Sequence, residues 1–451
     1  MDHELNYAAE EVQEMLNEKR YRELKAIFAA MEPADIAIIF EDIPDKLIPL
    51  VYRILPKDMA AEVFVEMDND QQEMLIAGFS DQELKEVLDE LYVDDAVDII
   101  EEMPASVVKR MLKQTDPETR RQINEILKYP DDSAGSLMTI EYLSLKADMT
   151  VSEAFVRIRR IGEDKETINV LYVTDKDRHL IGVLSIRNLL LADPDDVIRD
   201  IMETNITAVT TLTDKEEVAQ QLSRYDYLAM PVVDQEHRLV GIVTVDDAMD
   251  VLQEENTEDI EMLAGITPTD KPYIKTGILE TYKKRIPWLL ILMISATFTG
   301  AIITRYETAL GAYVILTAFM PMLMSAGGNA GSQSSVSIIR GLALDEIDYS
   351  DTFRILLKEF TVGAICGITL AVANFAKLML FDRLPVDVAI VICAALMLTI
   401  IAAKLIGCSL PILAKRLGFD PAVMANPFIT TLVDAISLIV YFKIATIILH
   451  I

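Results

Sequence analysis

The chain contains 451 residues, 51% of them hydrophobic, and carries a formal net charge of −31 at pH 7. Residues 1–270 hold 61 acidic and 26 basic side chains, whereas residues 271–451 hold 11 acidic and 15 basic ones. Such a negative half repels nucleic acid, which we exclude as a partner, and attracts cations. Acidic residues also serve plain solubility, but their attachment to an apolar half favours a cation-related role at a membrane.

Residues 1–130 are predicted to form an acidic, all-α superhelical domain. Hydrophobic residues recur every 12 positions, and a proline or a helix-capping residue follows several of them. Each unit predicts a short helix and a capped turn. Units this small cannot bury a face alone, so we expect them to stack. The hydrophobic residues in register are Ile43, Leu55, Met67, Phe79, Leu91 and Met103.

A second repeat covers residues 137–200 and 201–250. The segment TDKDRHLIGVLSIRN (174–188) matches VDQEHRLVGIVTVDD (233–247) at an offset of 59 residues. Each copy predicts a helix, a buried strand, a turn, a second strand and a helix. The pattern resembles a pair of α/β CBS domains, a ligand-sensing module. That resemblance implies a nucleotide site, such as one for ATP, at Ser185, Arg187 and Asn188, although Asn188 replaces the acidic residue common at its position.

A long acidic helix is predicted over 246–268, and it connects the CBS pair to a membrane domain at 272–451. Five apolar stretches in that domain are each long enough to cross a hydrocarbon core of about 30 Å. Eight basic residues flank one side of these spans and three flank the other. The positive-inside rule then predicts a multi-pass protein of the cell membrane, with its N-terminus cytoplasmic and its C-terminus outside. The stretches are 286–304, 309–338, 356–381, 388–412 and 422–449.

Cysteine and histidine usage argues against several kinds of site. The three cysteines lie in apolar segments and the four histidines are scattered, so neither a disulfide framework nor a Cys/His metal centre is predicted. We find no phosphate-binding loop and no Ser/His/Asp set, and we expect no enzymatic activity. The acidic N-terminus lacks the apolar stretch of a signal peptide, and none is expected.

The last span contains an acidic residue, Asp434, near its middle. Thr430 and Asn426 precede it at intervals of four, so the three form one polar stripe on a helix. A carboxylate at bilayer depth costs roughly 2.5–3.5 kcal/mol on insertion scales, and such residues normally face a cavity and serve a charged species. The alternative is a buried carboxylate capped by neighbouring helices.

Glycines in the second span allow two interpretations. Gly327, Gly328 and Gly331 are expected to break the regular helix and expose carbonyl groups, which a membrane protein tolerates only where the backbone lines a cavity. Tight helix packing at small residues also accounts for them. Asn329 and Gln333, four residues apart, favour a pore lining.

The architecture and two segments, PMLMSAGGNAGSQSS (321–335) and LGFDPAVMANPFITTLVD (417–434), resemble the MgtE family of magnesium channels. The resemblance covers essentially the whole chain. It implies a homodimer in the lipid bilayer, with a Mg²⁺ pore on the two-fold axis. The implied metal ligands are Asp434, Asn426 and Asp420 at the pore, Glu62, Asp94 and Asp98 in the helical domain, Asp214, Glu216, Asp226 and Asp247 in the second CBS copy, and Glu255, Glu258 and Asp259 on the connecting helix.

The charge distribution adds a mode of regulation. Acidic domains packed together repel each other, and Mg²⁺ bound between them favours the compact state. We therefore expect cytosolic Mg²⁺ to close the channel and its loss to open it. Lys404 in the fourth span is unexpected on a cation path, and we expect it to snorkel or to pair with a carboxylate away from the pore.

Two other functions stay open from the residues alone. An ion-coupled exporter of divalent cations would also pair CBS domains with membrane spans, and flux direction would separate it from an importing channel. A membrane-anchored CBS nucleotide sensor is a different class of protein. That sensor would need no polar stripe in its last span.

Overall fold

The structure, a computed structural model, describes residues 11–269, 273–307, 311, 313–344, 346–422 and 426–450, and leaves out the side chains of residues 58, 426 and 427. The chain divides into two compact units, Met1–Leu252 and Gln253–Ile451. The first contains the helical repeat and two small sheets, and the second contains five long apolar helices. The predicted multidomain fold class is confirmed.

The helical domain keeps the 12-residue period of its sequence. Its helices begin at intervals of 12 residues from Tyr21 to Pro117, except that the third begins at Ile48, three residues late. The domain is therefore the predicted stack of one-to-three-turn helices. Its helices are α1 (Tyr21–Phe28), α2 (Pro33–Glu41), α3 (Ile48–Tyr52), α4 (Lys57–Val65), α5 (Asn69–Gly78), α6 (Asp81–Leu88), α7 (Val93–Glu102), α8 (Ala105–Gln114) and α9 (Pro117–Ile126).

Side-chain caps and long-range hydrogen bonds stabilise this stack. Ser80 and Glu83 form a reciprocal capping box at the start of α6, and the Asp116 carboxylate accepts from backbone N–H groups of the first turn of α9. Arg110 on α8 donates to the backbone carbonyls of Ile76 and Phe79, which end α5. Each turn thus satisfies polar backbone groups that short helices leave unpaired.

The CBS repeat forms two sheets of three strands, in the orders β1-β2-β3 and β4-β5-β6. In each sheet the first pair is parallel and the second antiparallel. The two longer strands of each copy are offset by 59 residues, as the sequence repeat predicts. The elements are α10 (Ala134–Leu137), β1 (Ser144–Lys146), α11 (Val151–Ile161), β2 (Val170–Thr174), β3 (Leu180–Ser185), α12 (Ile186–Leu191), α13 (Ile198–Ile201), β4 (Val209–Thr210), α14 (Lys215–Tyr225), β5 (Ala229–Val233) and β6 (Leu239–Thr244).

The helical domain and the second CBS copy share one hydrophobic core. Val97 and Ile100 on α7 belong to the same buried cluster as Val243, Ala248 and Val251. The last two lie on α15 (Val245–Leu263), the helix that follows β6 and corresponds to the predicted connecting helix, although it ends at Leu263 and not at residue 268. This shared core places α7 close to the start of α15.

The second unit contains five helices long and apolar enough to cross a membrane, which confirms the predicted number of spans. The fourth is central: it is buried along its length and packs against the second, third and fifth. The helices are α16 (Ile278–Arg305), α17 (Met320–Ala343), α18 (Thr352–Lys377), α19 (Val386–Arg416) and α20 (Asn426–Leu449).

Candidate metal centres

Carboxylates from distant parts of the chain come together in the first unit. α7 carries Asp94, Asp95 and Asp98, and the charge of Asp247, in the first turn of α15, acts on all three. Glu166 of the first CBS copy acts on Asp94 and is itself acted on by Asp95. We call these five residues the acidic cluster. It unites three of the predicted ligands, Asp94, Asp98 and Asp247, in one electrostatic group.

Burial and mutual repulsion make the acidic cluster reluctant to ionise. Desolvation, followed by the Asp247 charge, raises the pKa of the half-buried Asp95 to about 6. The same causes raise the pKa of Asp98 to about 7, but this residue is exposed, so water screens part of the effect. Desolvation raises the pKa of Asp247 to about 6, against the opposing effect of a 2.6 Å hydrogen bond from Thr244 Oγ1. Burial and neighbouring carboxylates raise the pKa of Glu166 to about 7.

Asp94 shows what kind of ligand the acidic cluster suits. Its side chain is only 9% exposed, and burial holds its pKa well above the ordinary value, with Asp95 and Asp247 adding to the shift. One carboxylate oxygen, Oδ1, is buried and has no hydrogen-bond partner. A buried unsatisfied acceptor beside further carboxylates costs free energy, and a hard divalent cation removes that cost by accepting oxygen ligands. The donor set therefore fits Mg²⁺ or Ca²⁺.

Several acidic residues around the cluster were missed by sequence reasoning. Asp95 directly follows the predicted ligand Asp94, so its position in the sequence could have suggested it as a ligand. Glu166 comes from a loop of the first CBS copy, where the sequence offers no signal. Others whose charges act on members of the cluster are Glu66, Glu141, Asp246, Glu101 and Glu102.

Other predicted ligands of the first unit lie elsewhere. Glu62 is exposed on α4, and it is Glu66, one turn later, whose charge acts on Asp95. Asp214 caps the start of α14 by accepting from the backbone N–H of Glu216 at 2.9 Å, whereas Asp226 ends that helix in a left-handed conformation. An 11-residue helix rises about 16 Å, so Asp214 and Asp226 of one chain cannot bind the same ion.

The remaining predicted ligands outside the membrane lie on α15. Glu255, Glu258 and Asp259 occupy its later half, spaced so that they share one face of the helix. They are half-buried, exposed and half-buried, respectively.

The predicted nucleotide residues surround the turn from β3 to α12. Ser185 Oγ accepts from the backbone N–H of Asn188 at 3.1 Å, and the side chains of Arg187 and Asn188 are exposed. The equivalent hydroxyl in the second copy, on Thr244, donates to Asp247. The hydroxyl therefore bonds a backbone N–H in the first copy and a side-chain carboxylate in the second.

Asp434 lies half-buried in the middle of α20, one turn after Thr430. A methyl group built on Gly328 of α17 would lie 3.3 Å from Thr430 Cγ2, so the polar stripe of α20 runs beside the glycine segment. Thr430 and Asp434 are thus brought together as predicted. Asn426 begins α20, but its side chain lies outside the described residues.

The glycine segment does not break α17, and the expectation of exposed carbonyls there is wrong. α17 is continuous from Met320 to Ala343, and its glycines allow close packing instead. A methyl group on Gly327 would lie 2.8 Å from both Thr399 Cγ2 and Val433 Cγ1. The alternative interpretation, tight packing at small residues, is the observed one. Asn329 and Gln333 are exposed on the outer face of this helix.

Two further positions singled out in the sequence are Asp420, which precedes the last helix, and Lys404, which lies within the central helix α19. Asp420 is exposed before α20, and its Oδ1 accepts from the backbone N–H of Ala422 at 2.8 Å. Lys404 Nζ lies 3.7 Å from Glu359 Oε2, which confirms the expectation that this lysine pairs with a carboxylate.

An acidic helical domain, a paired repeat of small sheets and five apolar spans with an interior carboxylate are features of a membrane transporter of cations. Comparisons with known proteins identify which one. The family model MgtE, a divalent cation transporter, matches residues 320–444, and the MgtE intracellular N domain matches 31–132. CBS domains match 134–195 and 198–254.

Full-length relatives agree with these matches. The chain is 38% identical to the magnesium transporter MgtE of Thermus thermophilus, covering 97% of this chain and 98% of the relative. It is 33% identical to that of Bacillus subtilis, covering 97% and 96%. The chain therefore belongs to the MgtE family. The family consists of transporters, which confirms the expectation that the chain is not an enzyme.

Solved structures support the same assignment for the first unit. The cytosolic domain of a Mg²⁺ channel MgtE in complex with ATP superposes with a TM-score of 0.52 at 38% identity, covering 54% of this chain and 99% of that one. The soluble part of a magnesium transporter gives 0.52 at 31% identity, covering 56% and 99%.

The acidic cluster predicts an unusual dependence of stability on pH. Its carboxylates bind protons more tightly when folded than when unfolded, so stability falls as pH rises from about 4 to about 7. Without divalent cations, residues 1–252 expressed alone should melt about 5 °C higher at pH 5.5 than at pH 7.5. Adding Mg²⁺ at pH 7.5 should recover that difference.

Thermal unfolding followed by circular dichroism measures both effects. Asp94→Asn combined with Asp98→Asn and Asp247→Asn should reduce the dependence on pH and on Mg²⁺ together. A melting temperature that rises steadily from pH 5.5 to 7.5 without divalent cations would contradict the assignment.

Proposed function

We propose that this protein is a magnesium channel that imports Mg²⁺ down its electrochemical gradient and closes when cytosolic Mg²⁺ occupies the acidic cluster. The observation that carries the proposal is the interior carboxylate Asp434, within a chain that matches magnesium transporters along its whole length. Among the described spans, Glu359 is the other interior carboxylate, and Lys404 neutralises it. Asp434 is therefore the residue to meet the permeating ion.

The chemistry of Asp434 suits a hydrated ion. Mg²⁺ prefers six oxygen ligands and gives up its water reluctantly, so a path for it needs few protein carboxylates. A half-buried carboxylate in a low-dielectric setting attracts a divalent cation more strongly than the same group in water. Thr430, one turn away, offers a hydroxyl oxygen for the hydration shell. Asp434 concentrates the ion while its water shell still allows release.

A homodimer would complete this site. One carboxylate per chain is sparse for a divalent ion, and a two-fold axis beside α20 would place two of them around one path. The exposed amides of Asn329 and Gln333 on the neighbouring helix would then line the path or meet the second copy. Mass measurement of the detergent-solubilised protein tests the dimer, and full transport by a monomer would exclude it.

Regulation follows from the electrostatics of the acidic cluster. Without a cation, ionised carboxylates on α7 repel Asp247 on α15, and this repulsion opposes the packed arrangement. Mg²⁺ bound by Asp94, Asp98 and Asp247 would remove the repulsion and favour the packed, closed state. We place Glu255, Glu258 and Asp259 in the same response, because α15 carries them and Asp247 on one continuous helix.

We also propose that the N-terminus is cytoplasmic and the C-terminus outside, with ATP bound at the first CBS copy. The distribution of basic residues supports the orientation, and the ATP complex of the related cytosolic domain supports the ligand. The Arg187 guanidinium is exposed for phosphate, and the Asn188 amide can hydrogen-bond a ribose hydroxyl. Labelling of cysteines introduced at either terminus tests the orientation. Calorimetry with ATP tests the ligand, and no heat at millimolar ATP would exclude it.

Replacing Asp434 should abolish conduction. Asp434→Asn removes the charge at nearly constant volume, and Mg²⁺ influx into liposomes should fall at least about 100-fold, since even indirect metal partners are worth 10–100-fold. The matched control is Asp387→Asn, at the exposed start of α19, which should conduct normally. Normal influx through Asp434→Asn would refute the pore assignment. Transport that requires a counter-ion gradient would favour the exporter instead.

Neutralising the acidic cluster should weaken closure and spare conduction. In patches, Asp94→Asn, Asp98→Asn and Asp247→Asn together should raise the half-closing Mg²⁺ concentration at least about tenfold. The response should also become less steep, because fewer ions act on one equilibrium.

A control variant matches this change in charge. Asp45→Asn, Asp70→Asn and Asp89→Asn also remove three negative charges from the first unit, at exposed positions of the helical domain, and should close like the wild type. If both triple variants close at the same concentration, the sensor does not reside in the acidic cluster.

A further inference from the structure

A buried ion pair joins three helices inside the membrane unit. Lys404 Nζ on α19 lies 3.7 Å from Glu359 Oε2 on α18 and donates to Ser334 Oγ on α17 at 3.3 Å. The Ser334 hydroxyl in turn donates to the same Glu359 oxygen at 2.5 Å. The lysine and glutamate side chains are only 8% and 13% exposed. The Lys404 ammonium, the Ser334 hydroxyl and one Glu359 oxygen are thus bonded to one another within the protein.

The path of the lysine side chain is tightly defined. A methyl group built on Gly363 of α18 would lie 3.5 Å from Lys404 Cδ, so the aliphatic chain runs across α18 towards Glu359, one turn earlier. Among the described residues, Lys404 is the one lysine or arginine that is buried. A fixed cation near a path for divalent cations would repel them. Pairing with Glu359 cancels that charge.

The same part of α17 supports the helix that carries Asp434. Gly331 lies one turn before Ser334, and a methyl group on it would lie 3.4 Å from Val433 Cγ2 and 3.3 Å from the Ala403 carbonyl oxygen. Val433 directly precedes Asp434, and Ala403 directly precedes Lys404. α17 is therefore held between the ion pair on one side and the Asp434 turn on the other.

We propose that the Lys404–Glu359 pair, acting through Ser334, positions α17 against α20 and so sets the place of Asp434. In a low-dielectric interior, separating such a pair is costly, so it holds three helices in one register where apolar contacts alone would let them slide. These residues are positioning residues and do not touch the ion. The inference rests on the proposed function, because it assumes that Asp434 meets the permeating Mg²⁺.

Two variants test whether the network positions Asp434 or only neutralises the charge of Lys404. Lys404→Met with Glu359→Gln is neutral and close in volume, so it should fold with a melting temperature near that of the wild type. Its half-saturating Mg²⁺ concentration for liposome flux should rise at least about tenfold, because small displacements of a ligand cost that much or more. Ser334→Ala keeps both charges and should shift the same concentration in the same direction, by less.

The exposed pair Lys377–Asp382, 3.4 Å apart in the same unit, supplies the matched control. Lys377→Met with Asp382→Asn should leave the half-saturating concentration unchanged. A half-saturating concentration equal to that of the wild type, in either the folded Lys404→Met, Glu359→Gln variant or Ser334→Ala, would overturn the inference. If the Lys404→Met, Glu359→Gln variant does not fold, Ser334→Ala alone decides. Asp434→Asn, measured alongside, separates the two proposals. Normal flux through Asp434→Asn refutes the pore function. If Asp434→Asn is inactive but Ser334→Ala has the half-saturating concentration of the wild type, only this inference is refuted.

Discussion

A carboxylate that water cannot fully solvate is costly unless a cation, a hydrogen-bond donor or a proton compensates it, and both halves of this protein depend on that cost. In the first unit, Asp94 and its neighbours have raised pKa values because burial and mutual repulsion disfavour their charged forms. In the membrane unit, Glu359 is compensated from within by Lys404. Asp434 has no such ion pair among the described residues. In the function proposed above, Glu359 is satisfied within the protein, and the other interior carboxylates are left to bind Mg²⁺.

The helix α15 carries Asp247 of the acidic cluster and three further predicted ligands, Glu255, Glu258 and Asp259. α15 begins next to the acidic cluster with Asp247 in its first turn and continues without interruption to Leu263, a rise of roughly 28 Å. A helix of this length moves as a rigid body. In the regulation proposed above, a cation bound at the first turn of α15 would bias the position of the whole helix.

The membrane unit relies on close backbone contact as well as on charge. Gly327 and Gly331 allow α17 to approach α19 and α20, and in lipid such close packing replaces the hydrophobic driving force available in water. The segment that suggested an irregular pore lining is instead a regular helix against which the Asp434 helix rests. A methyl group on either glycine would meet a neighbouring side chain at 2.8 Å, so the arrangement leaves little room for variation.

Periodic features could be determined from the sequence by itself, because period reflects local backbone geometry. The 12-residue repeat located the starts of α3 to α9 with one exception at Ile48, the 59-residue offset located the paired strands, and apolar runs located five spans. Asp434 was recognisable because a charge in an apolar run is conspicuous. Only the tertiary structure decided that Glu166 acts on Asp94, that the charge of Glu66 acts on Asp95, and that Glu359 is the partner of Lys404. Those relations depend on side chains 25 or more residues apart in most cases, and the packing of helices and sheets that brings them together has no local signature in the sequence.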